Sequence, residues 1–312
     1  MNFKKYNNLL ELFYNQFENQ KSNNQFLTSL KNPTKDTYSW SETYSNIVKL
    51  SEFLNSKILA KDRCLLVSEN RPEWMISDLA IMLSQGITVP AYTTYTERDY
   101  EYLINDCKPS IIFASDQAQL DKLINIVRKT NFIKTVITFE EVKNYDDVEI
   151  INIKNIFGKS DFNEKNFFNL DIKRNDIACI IYTSGTQGNP KGVMLSHGGI
   201  LNNCEGAYKL LQEFISLNPK FLTWLPLSHS YEHTVQFVQI GVAARVFYAE
   251  SIDKLIKNMN DCNPEIMTAV PRFYQNLFQK INSNFNKTTG FKKFLINKTV
   301  ELGKKIIQKK NL

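Results

Sequence analysis

Long apolar runs are missing from this chain: none approaches the ~18 residues that a membrane-crossing helix requires. Cysteine is sparse and shows no pairing pattern. Cys64, Cys107, Cys179, Cys204 and Cys262 are odd in number, widely spaced and set among apolar neighbours, with no C-x-x-C pair among them. That arrangement argues against a disulfide scaffold and a cysteine zinc site, and makes reduced thiols the expectation. The start, Met1-Asn-Phe-Lys-Lys-Tyr-Asn-Asn, has two lysines but no apolar stretch behind them, so no signal peptide is expected. No internal repeat is found. Neither sign of charge dominates: 38 Lys and Arg stand against 32 Asp and Glu, a net charge of +6. So small a surplus suits anionic ligands or an acidic bilayer surface. With no nucleic-acid motif beside it, it predicts no nucleic-acid partner. The expected location is cytoplasmic, free or peripheral to the inner face of a membrane.

What remains is an ordinary globular composition, 43% hydrophobic and 22% charged over 312 residues. This length corresponds to about two domains. Short apolar runs alternate with helical patterns. Leu9, Leu10, Phe13 and Phe17 predict a helix, Thr37–Trp40 a short strand, and the residues from Ser41 another helix. Cys64–Val67, Ile87–Ala91, Ser110–Ala114 and Thr135–Thr138 predict strands. Helices between them are predicted from Pro72 to Gly86, from Asp99 to Asp106 and from Leu120 to Arg128. Phe139 to Lys173 is polar and irregular. Beyond residue 190, helices over 198–214, 231–242 and 252–259 alternate with strands over 221–225, 245–249 and 266–270, the last stopped by Pro271. The pattern predicts an α/β fold of mainly parallel sheets flanked by helices in two subdomains. The first spans 1–205 and the second, incomplete, 206–312, with an approximate boundary across which segments can interleave.

The densest chemistry lies at 182–192. Between an apolar run ending at Tyr182 and the strand-like Val193-Met-Leu195 stand Thr183, Ser184, Thr186, three glycines (Gly185, Gly188, Gly192) and Lys191. Glycines let consecutive N–H groups converge on an anion, hydroxyls add donors at little volume, and the lysine adds charge, a mixture suited to polyphosphate. A Walker loop is excluded because Gly192, not a hydroxyl residue, follows Lys191. A G-x-G-x-x-G fingerprint is excluded because Thr186 and Gln187 separate Gly185 from the next glycine. Pro190 predicts a loop that leads into a strand.

Thr183-Ser-Gly-Thr-Gln-Gly-Asn-Pro-Lys-Gly-Val193 resembles the phosphate loop of the adenylate-forming (AMP-binding) superfamily, and further motifs resemble its long-chain fatty acyl-CoA synthetases. These are Ser68-Glu-Asn-Arg-Pro-Glu-Trp74 followed by Gly86-Ile-Thr-Val-Pro90, then Leu225-Pro-Leu-Ser-His229 with Glu232, then Asn263-Pro264 through Ala269-Val-Pro-Arg272. The resemblance implies a two-step ligase: a carboxylate attacks the α-phosphorus of ATP, and the CoA thiol then displaces AMP. It implies that Thr183, Ser184, Gly185, Thr186, Gly188 and Lys191 wrap the β- and γ-phosphates, with Gly192 in the same ATP-binding stretch. Mg²⁺ is expected with the nucleotide, one hydroxyl reaching it; its other ligands are unassigned. The catalytic candidates are Lys191, stabilising departing pyrophosphate, and His229, between nucleotide and acyl pocket. Glu232 joins His229 in the pocket. Fatty acid, ATP and CoA are the implied partners.

Other residues keep two readings. His233 is expected on a neutral surface, and a zinc site with His229 lacks a third ligand. Arg272 either serves the site or pairs structurally, and Trp74 and Trp224 are expected in the core. Phe291 to Lys310 forms a basic amphipathic helix, either packed on one face or lying on an acidic membrane. The family's adenine, ribose and hinge motifs are not found in these 312 residues, so little ligase activity is expected of them alone. The alternatives are a medium-chain or aryl acid–CoA ligase, or a non-catalytic nucleotide-binding remnant.

Overall fold

Short apolar strands followed by amphipathic helices assemble into two mostly parallel sheets. A computed structural model describes residues 2–20, 24–183 and 190–310. The chain falls into two compact units, Met1–Met267 and Thr268–Leu312. The first runs α1 (Leu9–Gln20), β1 (Gln25–Ser29), β2 (Thr37–Ser39), α2 (Trp40–Asn55), β3 (Arg63–Val67), α3 (Pro72–Leu83), β4 (Ile87–Ala91), α4 (Glu97–Cys107), β5 (Ile111–Ala114), α5 (Gln117–Lys129), β6 (Thr135–Thr138), β7 (Ile150–Asn152) and α6 (Ile153–Phe157). It continues with β8 (Ile177–Thr183), β9 (Lys191–Ser196), α7 (His197–Leu211), β10 (Lys220–Thr223), α8 (Ser230–Gly241), β11 (Arg245–Tyr248), α9 (Leu255–Cys262) and β12 (Ile266–Met267). The second unit holds α10 (Pro271–Lys287) and α11 (Gly290–Lys310).

One sheet has seven strands in the order β7-β6-β5-β3-β4-β8-β9, parallel except for β9 against β8. The other has five in the order β12-β10-β11-β1-β2, parallel except for β2 against β1. The N-terminal strands β1 and β2 therefore join a sheet whose other members come from beyond residue 219.

Every residue of α3 is buried, which is why its sequence is apolar around most of its circumference. Proline at its first position presets the helical φ. The helix contacts β1 of one sheet and β3 and β4 of the other. Aromatic packing closes the N-terminal side: Phe26 stacks on Trp40 with ring centroids 3.7 Å apart, and Phe17 on Tyr44 at 4.3 Å. All five cysteines are buried free thiols, as expected.

The structure corrects three expectations. The stretch 139–173 contains β7 and α6, which at three and five residues are too short to show a period. β1 was not anticipated; its last four residues are all buried, so it lacks the alternation of a half-exposed strand. The strand expected over 266–270 is only Ile266–Met267, and Pro271 opens α10, because its missing N–H costs nothing in a first helical turn.

Candidate active site

Parallel strands place their following loops at one edge, so a cleft at the carboxyl ends is the natural site of such a fold. Here a cleft of about 660 Å³ opens there, between the strand ends of both sheets. Ser29 at the end of β1, Ser68 after β3, Tyr92 after β4 and Trp224 after β10 line it, together with Pro226 and Ser228. A second cavity of about 490 Å³ lies at the opposite edge, against Ile87, Ile177 and His197 at the starts of β4, β8 and α7. Of the motif residues it touches only Gly86 and Ile87, and none of those assigned to phosphate or acyl binding.

The phosphate-loop motif is borne by the β8–β9 hairpin. Thr183 pairs with Lys191 and Tyr182 with Gly192, and both Thr183 and Lys191 are exposed. Thr183 ends β8 at the carboxyl edge of the seven-stranded sheet, the edge at which cleft-lining Tyr92 follows parallel β4. A Cβ at Gly192 would lie 2.8 Å from Ile180 Cγ2 and 3.3 Å from the Tyr182 ring, so the close approach of these two strands requires glycine. Ser184, Gly185, Thr186 and Gly188 lie outside the described residues.

Helix α4 braces both stems of the hairpin. Tyr102 Oη donates to the Pro190 carbonyl at 3.0 Å, and Tyr182 Oη donates to Asp106 Oδ2. Tyr102 and Asp106 are four residues apart and so share a helix face. Burial and the Asp106 carboxylate together push the Tyr182 phenol well above its usual range.

The second motif crosses from β10 into α8. Leu225, Leu227 and Ser228 are buried while Pro226 and His229 are exposed. His229 is the N-cap of α8, its Nδ1 accepting the Tyr231 N–H at 3.2 Å. Glu232, one turn on, is 1% exposed. It acts at a distance on the buried Tyr248 phenol, which burial first and the Glu73 and Glu232 charges second raise far above its ordinary pKa.

His233 is not a surface residue. It is 1% exposed, its Nε2 donates to Asp78 Oδ2 of α3 at 2.8 Å, and its Nδ1 lies 3.5 Å from Cys179 Sγ. Gln236 Nε2 adds a second hydrogen bond to Asp78 Oδ2 at 3.0 Å. Burial alone would discharge the imidazole, but the Asp78 carboxylate and Cys179 outweigh it and push its pKa up to about 10. The i,i+4 histidines therefore diverge, one to solvent and one into the core. Trp74 is buried as expected, whereas Trp224 is half-buried and lines the cleft. Arg272 is exposed in the first turn of α10, in the second compact unit.

Arg71 forms the charged side of the cleft. Its Nε is 2.8 Å from buried Glu73 and its Nη1 3.2 Å from Glu140, over the Phe139 ring. Tyr38 Oη also donates to Glu73, at 3.2 Å.

The family model for AMP-binding enzymes matches residues 14–300. The chain belongs to the AMP-binding enzyme family. Among curated relatives, it is 30% identical to long chain acyl-CoA synthetase 4 of Arabidopsis thaliana, over 82% of this chain and 40% of that protein. It is 28% identical to long-chain-fatty-acid–CoA ligase 1 of Cavia porcellus, over 86% and 41% respectively. The chain thus spans about 40% of the length of these relatives. Among solved structures, ATP-bound MatB from Rhodopseudomonas palustris superposes with a TM-score of 0.68 at 22% identity, over 88% of this chain and 51% of that one. The luciferase-like enzyme of the mealworm Zophobas morio gives 0.71 at 15%, over 88% and 61%. The fold of parallel sheets flanked by helices is that of the N-terminal domain of adenylate-forming enzymes.

Set against the AMP-binding motifs, the structure adds four residues that carry no signature of their own: Asn70, Asp78, Tyr102 and Asp106. Asn70 lies inside the Ser68–Trp74 motif, and its neighbours drew no attention to its side chain. The other three act on partners more than 75 positions away in sequence, or on their backbone, as the separations of 76, 88 and 155 show.

Proposed function

We propose that this chain carries the phosphate loop and part of the acyl pocket of an ATP-dependent long-chain fatty acid–CoA ligase. One observation supports this above the others. A hydroxyl and an ammonium, Thr183 and Lys191, pair across β8 and β9 at the carboxyl edge of the seven-stranded sheet, the edge on which the cleft lined by Ser228 opens. These are the donor types that a polyphosphate requires, held on strands rather than on a free loop.

In the first half-reaction a carboxylate oxygen bonds to the α-phosphorus of ATP and the bond to pyrophosphate breaks. Two anions must meet, so charge neutralisation and positioning are the protein's task. Lys191 holds positive charge where pyrophosphate departs, with Thr183, Ser184, Gly185, Thr186, Gly188 and Gly192 completing the loop around the phosphates. His229, exposed at the head of α8, contacts the acyl substrate, and buried Glu232 supports that turn. In the second half-reaction the CoA thiol bonds to the acyl carbonyl carbon and AMP leaves. ATP would bring Mg²⁺, which neutralises phosphate charge; no described residue is assigned to it. Among the described residues, no helix is long and apolar enough to cross a membrane.

The test is acid-dependent ATP–pyrophosphate exchange by the full-length protein. Exchange that a long-chain fatty acid supports at least ~10-fold better than a medium-chain or aryl acid, a discrimination that several buried methylenes can supply, is the expected result. Exchange supported best by a medium-chain or aryl acid would replace the long-chain assignment, and no acid-dependent exchange at all would remove the ligase.

A further inference from the structure

The segment that carries His229 is irregular backbone, and something must hold it. Asn70 does so from across the cleft. It follows β3 of the seven-stranded sheet, whereas the segment follows β10 of the five-stranded one. Its Nδ2 donates to the Leu225 carbonyl at 2.6 Å, and its Oδ1 accepts the Leu227 N–H at 3.0 Å. A carboxamide offers a donor and an acceptor side by side, so it can pair with this backbone as a strand neighbour would.

The contacts then run without a gap to the histidine. Leu227, 1% exposed, is fixed in the core next to the clamp. Pro226 O accepts the His229 N–H at 2.9 Å, closing a turn, and His229 Nδ1 accepts the Tyr231 N–H of α8. Asn70 touches none of the groups assigned to chemistry. We infer that Asn70 is a positioning residue: its two-point clamp on Leu225 and Leu227 sets where His229 stands relative to the cleft. This role rests on the proposed function, in which His229 meets the acyl group.

The substitutions separate the two halves of the clamp. Asn70→Asp keeps the acceptor for the Leu227 N–H but loses the donor to Leu225 O and turns a carboxylate oxygen toward that carbonyl. Asn70→Leu removes both. The chain has three histidines, so imidazole ¹⁵N spectra can be assigned residue by residue. Because Nδ1 of His229 accepts a hydrogen bond, neutral His229 carries its proton on Nε2 in the wild type. In Asn70→Leu the His229 signal moves toward a tautomer average, and the Leu227 amide exchanges about tenfold faster, the scale of one lost hydrogen bond. The His197 and His233 signals and the β3 amides stay in place. In Asn70→Asp the Leu227 amide keeps its protection while His229 still moves. An unchanged His229 signal in Asn70→Leu overturns the clamp. So does a common shift of all three histidines and of the β3 amides in both variants, which would report general loosening.

The catalytic arm uses the full-length protein. Asn70→Leu raises the KM for the fatty acid as His229→Ala does, and the double variant is no worse than His229→Ala alone, because both act through one group. Additive losses would show that Asn70 does not act through His229. If His229→Ala left acid activation intact, the substrate role of His229 would fall and this inference with it, whereas the spectra would still report the clamp; the two failures are thus distinguishable.

Discussion

At the scale of single residues, two histidines tie stability to pH with opposite signs. His233 is held charged by Asp78, so the folded state keeps a proton that the unfolded chain releases above the ordinary value of 6.5. Its contribution is complete below pH 6.5 and is lost as pH climbs through about 10. His197 is the reverse. Burial lowers its pKa to about 4, against the raising influence of Asp176 and Asp78, and its Nδ1 accepts the Leu9 N–H at 3.3 Å. The unfolded chain takes up that proton first, so this contribution is lost as pH falls from 6.5 toward 4. Urea midpoints should therefore peak near neutrality, with Asp78→Asn flattening the alkaline side. That variant should also cost about 3–5 kcal/mol at neutral pH, because it leaves a buried charge without its partner. A midpoint that rises steadily from pH 7 to 10 would contradict the pair.

Gly192 is the other decisive residue. An added methyl meets Ile180 and Tyr182, both fixed in the facing strand. Gly192→Ala should destabilise by about 1–3 kcal/mol, the scale of overpacking, and shift Lys191 by moving β9 off β8. Equal thermal stability of variant and wild type would show that the strands yield freely.

At the scale of elements, α4 is a brace as well as a crossover. Tyr102 and Asp106 reach the two stems of the β8–β9 hairpin from one helix face. Tyr102→Phe should leave the fold intact and raise the KM for ATP by several-fold, about the worth of one hydrogen bond; an unchanged KM would limit α4 to packing. The basic amphipathic α11 exposes Phe291, Phe294, Leu302 and Ile306 among its lysines. If it lies on acidic membranes, co-sedimentation with vesicles should depend on acidic lipid and fall with added salt. Equal sedimentation with neutral vesicles would rule that out.

The twelve-residue helices α1 and α3 and the five-residue apolar strand β3 were legible in the sequence. Their apolar faces are set by local spacing. β7 and α6 were not, because elements so short acquire their form from neighbours. Pro271 was ambiguous in principle, since one residue type both ends strands and begins helices.

At the scale of the whole molecule, the fold brings together motifs that stand far apart in the chain. Asn70 meets Leu225 and Leu227, Asp78 meets His233, and β1 and β2 complete a sheet begun beyond residue 219. The phosphate-loop motif could be proposed from the sequence because its chemistry is packed into adjacent residues. The supports of His229 were not: a carboxamide or a buried carboxylate declares no partner until the chain has folded. His233 was misplaced for the same reason, since only its distant neighbour Asp78 makes a buried charge tolerable.

The most direct test of the central claim, that the β8–β9 hairpin binds the phosphates of ATP, is ATP–pyrophosphate exchange by full-length wild type and Lys191→Ala. Lys191 is exposed, so its loss should leave thermal stability unchanged. The expected result is a fall in acid-dependent exchange of about 10²–10³-fold, the usual loss when one preorganised group facing developing charge is removed. Exchange within about twofold of wild type, at unaltered stability, would contradict it, because a group on which phosphate charge depends cannot be removed at so small a cost.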